Sequence, residues 1–217
     1  MLRLSKLRKL AETGAGIQVT PNSSTLLKRW GLRVLLEFRS EAKEQNYADS
    51  LKKKYGSDTL NISRVDVQKG LYDRAKDLGV EFHFGTKVVE IDMDDGRVNS
   101  AAGQEFKGDL VIGADGIWSR LARFLDHVKV VETWKLMHRQ EVETWINDKG
   151  NFVLIGDASH PMIPYLAQGA NSAIEDGATI GLTLGKITSK LQLPQALQMF
   201  QAMRKARGEA IESSPFV

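Results

Sequence analysis

Residues 151 to 185, NFVLIGDASHPMIPYLAQGANSAIEDGATIGLTLG, leave this chain few ways to fold. A continuous apolar run, Phe152 to Ile155, is long enough for a buried strand and is closed by Gly156-Asp157. A loop carrying Pro161 and Pro164 follows, and Gln168-Gly169-Ala170-Asn171 then opens a long segment studded with small residues. The order predicts a strand that delivers a carboxylate at its carboxyl end and a helix whose amino terminus opens over the same spot. In open α/β sheets ligands sit in that crevice, and a helix amino terminus attracts anionic groups. The stretch therefore predicts half of a dinucleotide site.

A second stretch has the same form. Asp109 to Ile112 is a fully apolar strand after its first residue, and it runs into Gly113-Ala114-Asp115-Gly116. An aspartate at a strand end can accept hydrogen bonds from ribose hydroxyls or orient backbone N–H groups towards a phosphate. The adjoining glycine lets backbone and ligand approach closely. One Gly-Asp after a strand is a common turn, whereas two in one chain, the second followed by a prolyl loop and QGAN, form a specific signal. In the helix after Gln168 the small residues Ala170, Ala173, Gly177, Ala178, Gly181 and Gly185 share a face, which predicts close packing against another backbone. His160 is expected to support its loop by hydrogen bonds; metal binding needs partners at suitable spacing, and no metal site is expected. GADGIWS is not the GxSxG elbow, so Ser119 is not read as a hydrolase nucleophile. Arg120 and Arg123 suit a phosphate-bearing ligand or a solvated helix face equally well.

The rest of the chain supports an α/β layer. Ile17 to Thr20 is extended, Pro21-Asn22-Ser23 suits a turn and helix cap, and Leu26, Leu27 and Trp30 give one apolar face that Gly31 ends. Gly14-Ala15-Gly16 reads as a structural turn, since its spacing is neither GxGxxG nor GxxxxGK[ST]. Residues 33 to 62 are polar and weakly periodic and predict a surface helix or loop. The next helix has Asp66 as its cap, Val67, Leu71, Ala75 and Leu78 on its buried face, and Gly79 as its stop. Arg64, just ahead of it, is either a solvated charge or an anchor for a phosphate arriving at that helix. Val80 to Phe84, Lys87 to Asp92, Arg97 to Ala101 and Gln104 to Phe106 are short strands, with Asp94-Asp95-Gly96 as a hairpin turn. Trp134, Leu136, Trp145 and Ile146 are candidate core residues. Pro194 to Ala210 reads as an amphipathic helix with Ala196, Leu197, Phe200 and Met203 on one face, followed by a frayed ESSPFV.

Composition excludes several functions. Positive and negative residues interleave and the net charge is only +3, so no basic platform for nucleic acid stands out. Zero cysteines remove disulfides, zinc–cysteine sites and thiol catalysis, and fit a reducing compartment such as the cytoplasm. No apolar run approaches the roughly 20 residues of a membrane span. The opening MLRLSKLRKLAE has Leu4, Leu7 and Leu10 or Ala11 at helical spacing. A transit peptide or membrane-surface helix has this character, but a plain surface helix is the expectation, because the stretch is short and lacks serine enrichment.

GADGIWSRLARFL resembles the DG motif of single-component flavin-dependent aromatic hydroxylases, the salicylate hydroxylase-like monooxygenases. IGDASHPMIPYLAQGANSAIEDGA resembles their GD motif with the flavin-covering loop and helix. GAGIQVTPNSSTLLKRWGL is similar to the segment after that family's second strand, and SRVDVQKGLYDRAKDLGVEFHFGTKVVEID to its His-Arg-x-Asp-Leu helix and the strands behind it. The resemblance touches most of the chain. It implies an α/β, Rossmann-like FAD-binding fold with an inserted β-meander and C-terminal helices. It also implies FAD as cofactor, NADH or NADPH as reductant, and dioxygen-dependent hydroxylation or epoxidation of a small aromatic or polyketide-like substrate.

Carried over residue by residue, the resemblance implies that Arg64 contacts the FAD phosphates or ribityl region and that Asp157 holds the ribityl chain or pyrophosphate. Gly169 and Ala170 present backbone N–H groups to the flavin end, Ala15 falls in an early FAD-contacting turn, and Asp115 serves both FAD and nicotinamide. The chain departs from the family pattern in three places. The opening strand with GxGxxG and the following strand ending in Glu are not present, so the chain starts just after that unit. The long substrate-binding sheet is largely missing around 125–135. Ser63 stands where a histidine is usual. The expectation is a single truncated FAD-binding domain over 1–217, with a catalytically inactive remnant, or a scaffold partner of a full-length homologue, as the alternative.

Overall fold

The computed structural model describes residues 2–4, 16–32, 45–116, 142–162 and 168–212. Contacts divide the chain into two compact units, Met1–Val89 with Ser100–Gln104, and Glu90–Asn99 with Glu105–Val217.

In the first unit, β1 (Leu2–Leu4) runs parallel to β4 (Glu81–His83), with Leu2 opposite Glu81 and Leu4 opposite His83. The basic, leucine-rich opening therefore begins as a strand and not as the expected surface helix. Leu-Arg-Leu alternates with the period of a strand, and pairing supplies backbone hydrogen bonds that three residues of helix cannot. Next, β2 (Gly16–Val19) pairs antiparallel with β3 (Leu60–Ser63), and α1 (Pro21–Arg29) and α2 (Gln45–Tyr55) lie between them in sequence. Strand β3 occupies part of the stretch read as surface: Leu60 and Ile62 are buried and Asn61 points outward, a half-buried strand of period two. Val19, Leu27, Leu32, Leu60, Ile62 and Val67 form this unit's core.

Helix α3 (Arg64–Asp77) is capped by Ser63, whose hydroxyl accepts from the Val65 N–H at 3.2 Å, and not by Asp66, which lies in its first turn. A serine at this position satisfies an otherwise unpaired amide at the helix start. The buried face of α3 is narrower than its apolar positions suggested: Val67 and Gly70 are buried, while Leu78 is exposed at the C-cap. Tyr72 packs its ring on Phe82 with centroids 4.6 Å apart, which fixes α3 over β4.

In the second unit, β8 (Val111–Gly113) and β9 (Phe152–Leu154) form a parallel pair, with Val111 opposite Phe152 and Gly113 opposite Leu154. All three residues of β9 are buried, as a strand covered on both faces requires. A meander of β5 (Val88–Asp92), β6 (Arg97–Ser100) and β7 (Glu105–Lys107) precedes it, in that order across one sheet. Asn151 donates from Nδ2 to the Met93 carbonyl at 2.6 Å and so ties the meander's first turn to the approach of β9. Trp145 and Ile146 are core residues as expected, and Ile146 bridges Val153 on the far edge of β9.

Two helices complete this unit, α4 (Gln168–Leu184) and α5 (Leu193–Glu212). Helix α5 buries Leu193, Ala196, Leu197 and Phe200, each large side chain contributing about 1.5–3 kcal/mol by leaving water. The next position on that face is Arg204, which is buried, whereas Met203 is 47% exposed, contrary to the face read from sequence. Of the small residues of α4, Ala173 makes the expected close approach, 3.3 Å from a Cβ added to Gly156, while among the described residues a Cβ at Gly177 or Gly181 would meet nothing within 4 Å.

Gly150, in the turn before β9, has φ +65°, and an added Cβ would lie 2.5 Å from Pro194 Cβ. Gly150→Ala should therefore combine left-handed strain with a clash at the start of α5. The expected loss is about 2–4 kcal/mol of unfolding free energy, read by urea denaturation. A loss under about 1 kcal/mol would show that the turn and α5 are not held against one another.

Candidate functional site

The two strand–Gly–Asp ends predicted from sequence lie side by side. Because β8 and β9 are parallel neighbours, Asp115 and Asp157 leave the sheet at the same end, from strands about 4.8 Å apart. The Ile155 N–H donates to the Gly113 carbonyl at 3.0 Å and extends the ladder to the last residue before the second turn. Both aspartates are exposed there, at the position where a ligand meets an open α/β sheet.

Gly156–Ala158 forms a single 3-10 turn after β9, with Gly156 at φ +58°. A side chain at Gly156 would suffer twice, from the left-handed backbone and from Ala173 on α4. The Gly156 carbonyl accepts from the Ser159 N–H at 2.9 Å, the Ser159 hydroxyl at 2.9 Å and the His160 N–H at 3.0 Å. Helix α4 starts at Gln168, and a Cβ on Gly169 would stand 3.7 Å from Asp157 Oδ1. The Asp157 carboxylate thus sits against the first turn of α4, where backbone N–H groups point out of the helix and its dipole is positive. Ala170, exposed, continues that turn. The arrangement offers carboxylate acceptors for hydroxyl groups and amide donors for anionic or carbonyl oxygens within one short reach.

Four of the six predicted site residues, Asp115, Asp157, Gly169 and Ala170, come together at this end of the second unit. Arg64 belongs to the first unit, where it is the exposed first residue of α3. Ala15 lies outside the described residues, as do Ser119, Arg120, Arg123, Trp134, Leu136 and Pro164.

The residues that sequence reasoning passed over are beneath the turn. Asp176, on α4, has no solvent exposure. Its Oδ2 accepts from the Gly156 N–H at 2.8 Å and lies 2.6 Å from His160 Nε2, while Arg204 Nε donates to its Oδ1 at 2.5 Å. The carboxylate only accepts, so Nε2 carries the proton of the histidine contact. Arg204 also reaches Glu175 Oε2 at 2.6 Å and the Ser172 hydroxyl at 2.8 Å. His160, buried against Trp145 with ring centroids 5.0 Å apart, does support its loop by hydrogen bonding, as expected. One signal in the sequence pointed here: Ala196, Phe200 and Arg204 recur every four residues, so the arginine extends the apolar face of α5. Among the described residues no cluster of His, Cys, Asp or Glu has the geometry of a metal site.

Residues 122–214 match the sequence model of a family described as the FAD binding domain. The FAD-dependent monooxygenase OpS4 of Beauveria bassiana (strain ARSEF 2860) is 29% identical over an alignment of 327 residues, covering 96% of this chain and 76% of that protein. By these likenesses the chain resembles the aromatic-hydroxylase-like FAD monooxygenases. Its fold is that of solved relatives. FqzB superposes with a TM-score of 0.78 at 19% identity, over 97% of this chain and 76% of that one. CtdE, solved in complex with FAD, superposes with a TM-score of 0.77 at 17% identity, over 96% and 84%. Other FAD-dependent monooxygenases align over only 18% to 33% of their own length. With OpS4 the alignment is longer than the chain's 217 residues, so about a third of it is length the relative has and this chain does not.

Burial raises the Asp176 carboxyl, but the hydrogen bond and charge of His160, followed by those of Arg204, outweigh it and hold the group below its ordinary value of 3.8. A carboxyl depressed on folding stabilises the fold fully above its unfolded value, and that contribution is lost as pH falls through the folded value. Thermal unfolding should therefore show Asp176's contribution intact above about pH 5 and disappearing below about pH 4. Asp176→Asn should flatten that acid limb. A limb of unchanged steepness in the variant would assign the acid loss to other groups.

Proposed function

We propose that this chain is an abbreviated FAD-dependent monooxygenase acting with NADH or NADPH on a small aromatic or polyketide-like substrate. The observation that carries this reading is the meeting of two strand-end aspartates with the first turn of α4, in a chain whose residues 122–214 match an FAD binding domain. The donor set fits the cofactor: carboxylates accept from hydroxyls such as those of a ribityl chain, and helix amides donate to the carbonyl and phosphate oxygens of a flavin nucleotide. Gly169 leaves the start of α4 without a side chain beside the Asp157 carboxylate.

In this reading Asp157 accepts from the ribityl hydroxyls, and Gly169 and Ala170 direct their N–H groups to the flavin end. Asp115 stands at the neighbouring strand end to serve FAD and the incoming nicotinamide. Arg64 supplies positive charge for the FAD phosphates from the start of α3, and Ala15 belongs to the early turn that contacts the cofactor. FAD, when bound, supplies the redox chemistry that the side chains lack. The overall balance is one substrate C–H (or C=C), O2, NAD(P)H and a proton giving C–OH (or an epoxide), NAD(P)+ and water.

A second reading is favoured by the missing third of the OpS4 alignment: a chain that holds flavin without turning substrate over, or that works beside a full-length homologue. The two readings differ in assay. The purified protein should be yellow and should gain thermal stability with added FAD. Asp157→Ala should weaken FAD binding at least about tenfold, or 1.4 kcal/mol, by flavin fluorescence titration. Aromatic compounds should then stimulate NAD(P)H oxidation and gain one oxygen atom by mass spectrometry. Flavin binding without that gain would establish the second reading, and a colourless protein indifferent to FAD would overturn the first.

A further inference from the structure

The Gly156–Ala158 turn carries its ligand-facing carboxylate outward, but what fixes it lies inward. The Gly156 N–H cannot pair with β8, because the parallel ladder ends with the bond from Ile155 to Gly113. It donates instead to Asp176 Oδ2, 20 residues away on α4. The same oxygen meets His160, at the far end of the turn, so one atom closes the turn at both ends. The second oxygen of Asp176 is taken by Arg204 of α5. Arg204 cannot swing freely, since its remaining nitrogens are held by Glu175, the Ser172 carbonyl and the Ser172 hydroxyl. Glu175 is held in turn by Arg207, with bonds of 2.6 and 2.8 Å.

We infer that Asp176, anchored by Arg204, is a positioning residue for the flavin nucleotide: it holds the Gly156 amide so that Asp157 stands against the first turn of α4. This inference rests on the cofactor reading above. It assigns α5 a part in binding although none of its residues reaches the ligand end of the sheet. Buried charge-assisted hydrogen bonds suit that task, because they are directional and an unpaired alternative is costly. A displacement of about 1 Å at a binding group is enough to lower its contribution by an order of magnitude or more.

The test compares Asp176→Asn with Leu197→Val and Leu197→Ala, which thin the core of α5 without touching the turn and bracket the loss of stability. FAD affinity is measured by fluorescence titration at a temperature where circular dichroism shows every variant folded, and exchange of the Gly156 amide is followed in the apo-proteins. Asp176→Asn should lose about tenfold or more in affinity and exchange the Gly156 amide faster, while the Leu197 variants keep both near wild type at matched stability. Arg204→Lys, which retains a cation beside Asp176, should fall between wild type and Asp176→Asn, and it replaces that variant if the asparagine protein does not fold. Equal loss of affinity in the Leu197 variants, or an Asp176→Asn protein with unchanged affinity, would overturn the inference. If wild type binds no FAD, the functional reading fails and the inference falls with it, whereas FAD binding by wild type with an indifferent Asp176→Asn overturns the inference alone.

Discussion

A carboxylate without solvent exposure survives only where positive charge and donors surround it, and Asp176 is the point on which the second unit depends for that reason. Desolvation of the ion opposes folding by several kcal/mol, and only well-placed partners offset it. Here Arg204, His160 and the Gly156 amide supply them from α5, from the end of the turn and from its start. The turn, α4 and α5 must therefore arrive together or leave a buried charge uncompensated. Apolar packing of Phe200 and Leu197 brings α5 close, but it is non-directional; the carboxylate sets the register between α5, α4 and the turn.

The ligand-facing end follows the opposite principle. Asp115 and Asp157 are exposed, and the groups beside them are backbone amides at a helix start and glycines without side chains. Exposed groups and supporting groups are thus different residues on opposite sides of one turn. Such a division keeps exposed carboxylates available to a ligand while rigidity comes from side chains that never meet it. It also explains why Gly156 is glycine for reasons of packing and backbone together, since Ala173 and the positive φ each restrict it.

Much of this was legible in the sequence because it depends on local pattern. The apolar run of β9, the glycine and aspartate after it, and the small-residue helix beyond are contiguous, and each signals its element by period or by punctuation. The two strands of the same form were legible too, but their parallel pairing is a finding of the structure. What escaped was decided by distant partners. Leu2–Leu4 is a strand because β4 lies beside it, and Leu60–Ser63 because β2 does. Asp66 looked like a cap, yet Ser63, one residue ahead of the helix, has the extended backbone and the reach to Val65. Met203 was read into the apolar face of α5, yet Arg204 takes the buried place there, and a buried arginine needs an acid that sequence order does not reveal.

The network also bears on how a chain shorter than its relatives keeps a site at all. The described bonds that fix the Gly156 amide and carbonyl come from residues between 156 and 204, and the strand pair beneath the turn is made by 111–113 and 152–154. The described contacts that shape this end of the strand pair lie in one compact unit. Affinity for a whole dinucleotide and enclosure of a substrate are different matters, because each requires surface that the turn and α4 do not provide.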